Sequence, residues 1–131
     1  MSQIIHFKES PDLGQFVSVS LNSSVIALVY YMAFLAWVWW KKELTIMEIY
    51  RDVDPVGTHK NWCAIDVRNS NFTRQEALKL AGAMNTLATY DPARPSMKIC
   101  LVYELDPHGK HDDHFHVQVH ANTVFAEAQD D

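Results

Sequence analysis

From Val25 to Trp40 the chain runs for 16 residues without a charge, and this block holds Tyr30, Tyr31, Phe34, Trp37, Trp39 and Trp40. It is shorter than the ~20 residues that span a bilayer, and Lys41-Lys42 leads at once into further apolar sequence. A buried helix over about 24–41 is expected, with Ser23 or Ser24 as its N-cap. The wealth of aromatics leaves membrane contact and an oligomer contact open as alternatives. Leu44 to Tyr50 and Ala64 to Val67 read as strands, separated by the turn-rich Asp52-Val53-Asp54-Pro55-Val56-Gly57. Thr73-Arg74-Gln75-Glu76 is a capping box, and Ala77, Leu80, Ala81, Met84, Leu87 and Ala88 follow at helical spacing. That helix should end near Tyr90, where Asp91-Pro92-Ala93-Arg94-Pro95 breaks the pattern. Lys98 to Glu104 reads as a strand, and a loop through Pro107 and Gly109 to Asp113 follows it. His114 to His120 then alternates polar and apolar residues as a half-buried strand does.

The alternation has a chemical consequence. Side chains two apart on a strand share a face, so His114 and His116 project one way while Phe115, Val117 and Val119 enter the core. In the same way Ala64, Asp66 and Arg68 share one side, and Cys63, Ile65 and Val67 supply the apolar one. Five of the seven histidines fall between His108 and His120, a concentration that chance explains poorly. A hydrolytic zinc needs about three nitrogen or oxygen ligands and one open position, where bound water is acidified to a pKa near 7. His59, Asp66 and His116 satisfy that count, and His114 beside them is available as general base or to hold charge on the tetrahedral intermediate. Taken singly, His59 and Asp66 suit ordinary loop and surface roles, and the two strand histidines suit a solvated face. It is their joint order that favours a metal.

The order His59-Lys-Asn-Trp-Cys-Ala-Ile-Asp66, followed downstream by His114-Phe-His116, resembles the LAS metallopeptidases, the superfamily of lysostaphin, D-Ala-D-Ala carboxypeptidases and hedgehog. His111-Asp-Asp-His114-Phe-His116-Val is similar to penicillin-insensitive murein endopeptidases. Ala64-Ile65-Asp66-Val67-Arg68 and Phe115-His116-Val117-Gln118-Val119 look like small phage-type peptidases of the carboxypeptidase branch. The resemblance covers about residues 44–120. It implies a small α+β domain with a central antiparallel sheet and flanking helices, with zinc on His59, Asp66 and His116 and catalysis by His114. It further implies cleavage of stem or cross-link peptides of bacterial peptidoglycan. It also suggests Arg51 as a contact for a substrate carboxylate, and His111 as a contact for substrate or oxyanion; a surface salt bridge of Arg51 with Asp52 or Asp54 is the competing reading. Three departures stand out. Trp62 replaces a common Gly three residues after the first ligand, Gly57 replaces a Ser two before it, and the Glu-x-x-His element of the carboxypeptidase branch is absent. Catalysis then rests on His114, with Glu104 the nearest strand carboxylate, and His108 and His120 match nothing in the pattern.

Composition narrows the rest. A chain of 131 residues, 48% hydrophobic and 21% charged, suits one folded domain spanning 1–131. A net charge of -5 provides no broad basic surface, which disfavours nucleic acid as a partner. Cys63 and Cys100 are too sparse for a disulfide framework and read as buried free thiols. Glu9 and Asp12 precede any long apolar run, unlike a secretory signal, so cytoplasmic synthesis and action at the cell wall, as of a phage lysin, are expected. A non-catalytic zinc module that binds peptidoglycan, and a membrane-associated factor, are the alternatives.

Overall fold

The computed structural model describes residues 4–7, 22–49, 63–103 and 114–126. Arg51, His59, Trp62, Glu104, His108 and His111 lie outside them. The elements in chain order are β1 (Ile5–Phe7), α1 (Ser23–Trp40), β2 (Leu44–Glu48), β3 (Ala64–Arg68), α2 (Arg74–Leu87), β4 (Ala88–Thr89), β5 (Cys100–Tyr103), β6 (His114–Gln118) and β7 (Val124–Phe125). Five strands form one sheet in the order β1-β2-β3-β6-β5, and β4 pairs with β7 in a second, small sheet. This is the expected α+β class. The pairs β2-β3, β3-β6 and β6-β5 are antiparallel, while β1 joins the edge in parallel with β2 and makes the sheet mixed.

Both helices pack on one face of the sheet. Val25, Leu28, Val29, Met32, Ala33 and Ala36 of α1 and Leu80 and Met84 of α2 are buried with Ile46, Ile65, Val67, Phe115 and Val117 in a single core. Burying a large apolar side chain is worth about 1.5–3 kcal/mol, so this shared layer is what holds helices and sheet together. Phe72 links the parts, with its ring edge-on to Trp40 at 6.0 Å and to Phe115 at 5.8 Å.

The helix over 24–41 forms, but only one of its sides is covered. Tyr30, Tyr31, Phe34 and Val38 remain exposed. By length and composition α1 is apolar enough to cross a membrane, a test that core helices of soluble proteins also pass. Its N-cap is Asn22, whose side-chain oxygen accepts from the Ser24 N–H at 2.8 Å, in place of the expected serine. An amide oxygen one position upstream serves the same orphan donors. The helix closes where Lys41 turns left-handed (φ 55°) and the Lys41 N–H returns to the Trp37 carbonyl at 2.9 Å.

The capping box of α2 forms as read: Thr73 Oγ1 accepts from the Glu76 N–H at 3.1 Å, and the Thr73 N–H donates to Glu76 Oε1 at 2.8 Å. Lys42 Nζ reaches the same carboxylate at 2.6 Å and ties the end of α1 to the start of α2. The helix stops at Leu87, earlier than the expected Tyr90, because Ala88 and Thr89 turn extended and pair with Phe125 and Val124. Asn85 then fastens α2 to β5: its side chain donates to the Cys100 carbonyl at 3.0 Å and accepts from the Cys100 N–H at 2.8 Å.

Candidate functional site

The face of β3 and β6 turned away from the helices carries the polar side chains. Antiparallel register sets Asp66 opposite His116, Arg68 opposite His114 and Ala64 opposite Gln118. Residues so paired point to the same side of a sheet, so two of the three expected ligands meet without any loop having to bring them together. Asp66, His116 and Gln118 are only 5%, 6% and 3% exposed, a degree of burial that polar groups tolerate when hydrogen-bonded.

Their contacts form a directed chain. Gln118 Nε2 donates to the Lys98 carbonyl at 2.8 Å. A carbonyl can only accept, so the amide oxygen of Gln118 must face the other way, and it lies 3.2 Å from His116 Nε2. In its Nε2–H tautomer His116 donates to that oxygen. In a neutral ring Nδ1 is then a lone pair, yet it faces Asp66 Oδ1 at 3.0 Å. In that tautomer the two atoms can hold a cation between them, whereas the Nδ1–H tautomer donates directly to the carboxylate.

The pair fits a zinc ion on three counts. Imidazole nitrogen and carboxylate oxygen are ordinary zinc ligands, and tetrahedral bonds of ~2.0–2.1 Å hold two such atoms about 3.3 Å apart, near the observed spacing. The contact of the remote ring nitrogen with Gln118 is of the kind that would fix the tautomer of the ring if it held a metal. Among the described residues no group of three or more His, Cys, Asp or Glu is placed to hold a metal, and the third expected ligand, His59, lies outside them. Arg51 and His111 lie outside them as well.

His114 lies two residues from His116 on the same face, a step of roughly 7 Å along the strand, and is half-buried. His120, for which the sequence suggested no role, organises a turn: its Nδ1 accepts from the Asn122 N–H at 3.1 Å, and its ring lies 5.5 Å from that of Tyr90. Gln118 is the member that sequence reasoning passed over. The signal was its place two residues beyond His116, which the period of a strand puts on the same face.

The thiols contribute nothing comparable. Neither Cys63 nor Cys100 is in a disulfide, and Cys63 is half-buried where full burial was expected. Burial pushes the Cys100 thiol up to about 12 and raises that of Cys63, so neither offers a thiolate nucleophile at neutral pH. No protein-family model matches the chain, and neither a curated protein nor a solved structure matches it.

Proposed function

We propose that this chain is a zinc-dependent peptidase that hydrolyses peptide bonds of bacterial peptidoglycan, with His59, Asp66 and His116 as ligands and His114 as the proton-transferring group. One observation supports the metal above all: a buried imidazole nitrogen and a carboxylate oxygen face each other at 3.0 Å. The resemblance of His59-x6-Asp66 and His114-x-His116 to the LAS peptidases supplies the substrate class. When bound, zinc polarises a carbonyl and acidifies a water.

The residues of the chain divide the remaining work. Asp66 brings negative charge, and His116 brings a nitrogen whose direction is set by Gln118 and, behind it, the Lys98 carbonyl. His114, on the same face, takes a proton from the attacking water and passes it to the leaving amine. Holding both groups on paired strands limits the reorganisation needed on reaction. On this reading the protein is made in the cytoplasm and acts at the wall, in the manner of a phage lysin.

The test is metal analysis of the purified full chain together with digestion of purified cell walls. Wild type should carry one zinc per chain and release new amino groups. His116→Ala should lose metal and lysis together, whereas His114→Ala should keep the metal and lose turnover. Lysis retained by His116→Ala rejects the assignment. A zinc-loaded chain that binds wall fragments without releasing amino groups favours the non-catalytic module, and a chain that takes up no zinc leaves His116 and Asp66 as a buried hydrogen-bonded pair.

A further inference from the structure

The end of α1 and the first turns of α2 enclose a shallow cavity of about 360 Å³, lined by Trp40, Thr73, Gln75, Glu76 and Lys79. Its apolar wall is the Trp40 indole, braced by steep ring contacts with Trp39 at 5.3 Å and Phe72 at 6.0 Å. Phe72 in turn meets Phe115, which enters the helix layer, so the cavity and the Asp66–His116 pair lie on opposite sides of the sheet. The other four lining residues are polar. Their two charges cancel, and each is already answered within the fold. Lys42 Nζ reaches Glu76 Oε1 at 2.6 Å, and Lys79 Nζ stands 4.5 Å from the centre of the Trp39 ring and 6.0 Å from that of Trp40. An ionic ligand of either sign therefore meets no uncompensated charge, whereas a neutral ligand with one apolar face and a polar rim meets its complement.

We propose that this cavity binds a neutral sugar ring of a glycan chain. A pyranose has an apolar face of C–H groups and a rim of hydroxyls that both donate and accept, which matches an aromatic wall bordered by polar side chains. The Gln75 amide offers a donor and an acceptor, and the Lys79 ammonium donates. Glu76 accepts: both of its hydrogen bonds among the described residues fall on Oε1, which leaves Oε2 for a hydroxyl. The volume lies at the lower end of the ~300–1,000 Å³ common to small-molecule sites, a scale suited to a short stretch of glycan. Because the indole is already braced, little ordering is left to do on binding. A glycan seated there holds the protein on a polysaccharide without occupying the Asp66–His116 face. The site does not depend on the zinc; only the choice of an N-acetylated sugar as first probe rests on the peptidoglycan reading.

Equilibrium binding to the full chain tests this, with and without zinc, using an N-acetylglucosamine oligomer, its deacetylated glucosamine counterpart and a glucose oligomer. Wild type should bind the N-acetylated oligomer with an affinity that neither zinc nor added salt alters, and the cationic glucosamine oligomer more weakly. Trp40→Leu should weaken binding about tenfold or more, and Gln75→Ala and Lys79→Met a few-fold each. His116→Ala should bind the sugar as wild type does. If the Trp40 variant folds poorly, Gln75→Ala and Lys79→Met, both at exposed positions, carry the comparison. No binding of either neutral oligomer by wild type, a preference for the cationic one, or undiminished affinity in the cavity variants would overturn the proposal. Equal binding of the glucose and N-acetylglucosamine oligomers supports the site and removes only the preference for an acetylated sugar. The two readings fail separately: sugar binding by a chain that releases no amino groups from cell walls removes only the peptidase, and hydrolysis without sugar binding removes only this site.

Discussion

The two faces of β3 and β6 share one backbone and one register, yet they differ in what their side chains demand of each other. Toward the helices, Ile65, Val67, Phe115 and Val117 fill a layer in which size and apolarity count most. On the opposite face, Asp66, His116 and Gln118 are almost as deeply buried, but each depends on the atom it meets. An apolar contact tolerates another apolar group of similar volume. A polar chain such as that from Lys98 through Gln118 and His116 to Asp66 has a direction, and a change at one member alters what the next can donate or accept. Folding is therefore concentrated on one side and candidate chemistry on the other.

That contrast yields graded expectations. Phe115→Ala should cost about 3–5 kcal/mol in denaturant unfolding, because it empties a fully buried site between Phe72 and the helices, while the zinc content of the folded fraction stays at the wild-type level. Equal loss of zinc would mean that the faces are not separable. Gln118→Leu should show the reverse emphasis. It leaves His116 Nε2 without its acceptor, so zinc affinity in a competition titration should fall roughly 10–100-fold, with ~1–3 kcal/mol of stability lost. Unaltered affinity would show that Gln118 does not orient the ring.

Smaller effects are expected where neither face is touched. Thr73→Ala removes the cap of α2 and should lower stability by about 1 kcal/mol, measured by the unfolding midpoint, with zinc binding unaffected. The smallest effect concerns acid. The Lys42 ammonium, and then the Thr73 N–H, hold the Glu76 carboxyl below the usual glutamate range. A pKa lowered on folding stabilises above the unfolded value and ceases to do so as pH falls through the folded one. The stability difference between wild type and Glu76→Gln should accordingly be present near neutrality and shrink below roughly pH 4. A difference that grew in acid would contradict the assigned pairing.

Several features were legible as local patterns. The capping box at Thr73 and Glu76 appears as read, since its two hydrogen bonds join residues three apart. The inward set Phe115, Val117 and Val119 follows from strand alternation alone. Features joining distant segments were less accessible. The end of α2 was placed too late because Ala88 and Thr89 are drawn out by β7, some 36 residues further along. The N-cap of α1 was assigned to a serine because Ser23, Ser24 and Asn22 are all competent, and only the backbone path chooses among them. β1 was not anticipated, since three residues carry too little periodicity to read.

The order of residues along the chain, without any knowledge of pairing, was enough to give the α+β class, the apolar side of each central strand and Asp66, His114 and His116 as candidates. These are consequences of 2.0- and 3.6-residue periods, which are local properties. Folding in three dimensions decided that Asp66 stands opposite His116, that Gln118 sets the direction of the imidazole, and that Arg68 shares their face. Such relations come from strand registers spanning about 50 residues, and a register shifted by one position would turn the same side chains to opposite faces.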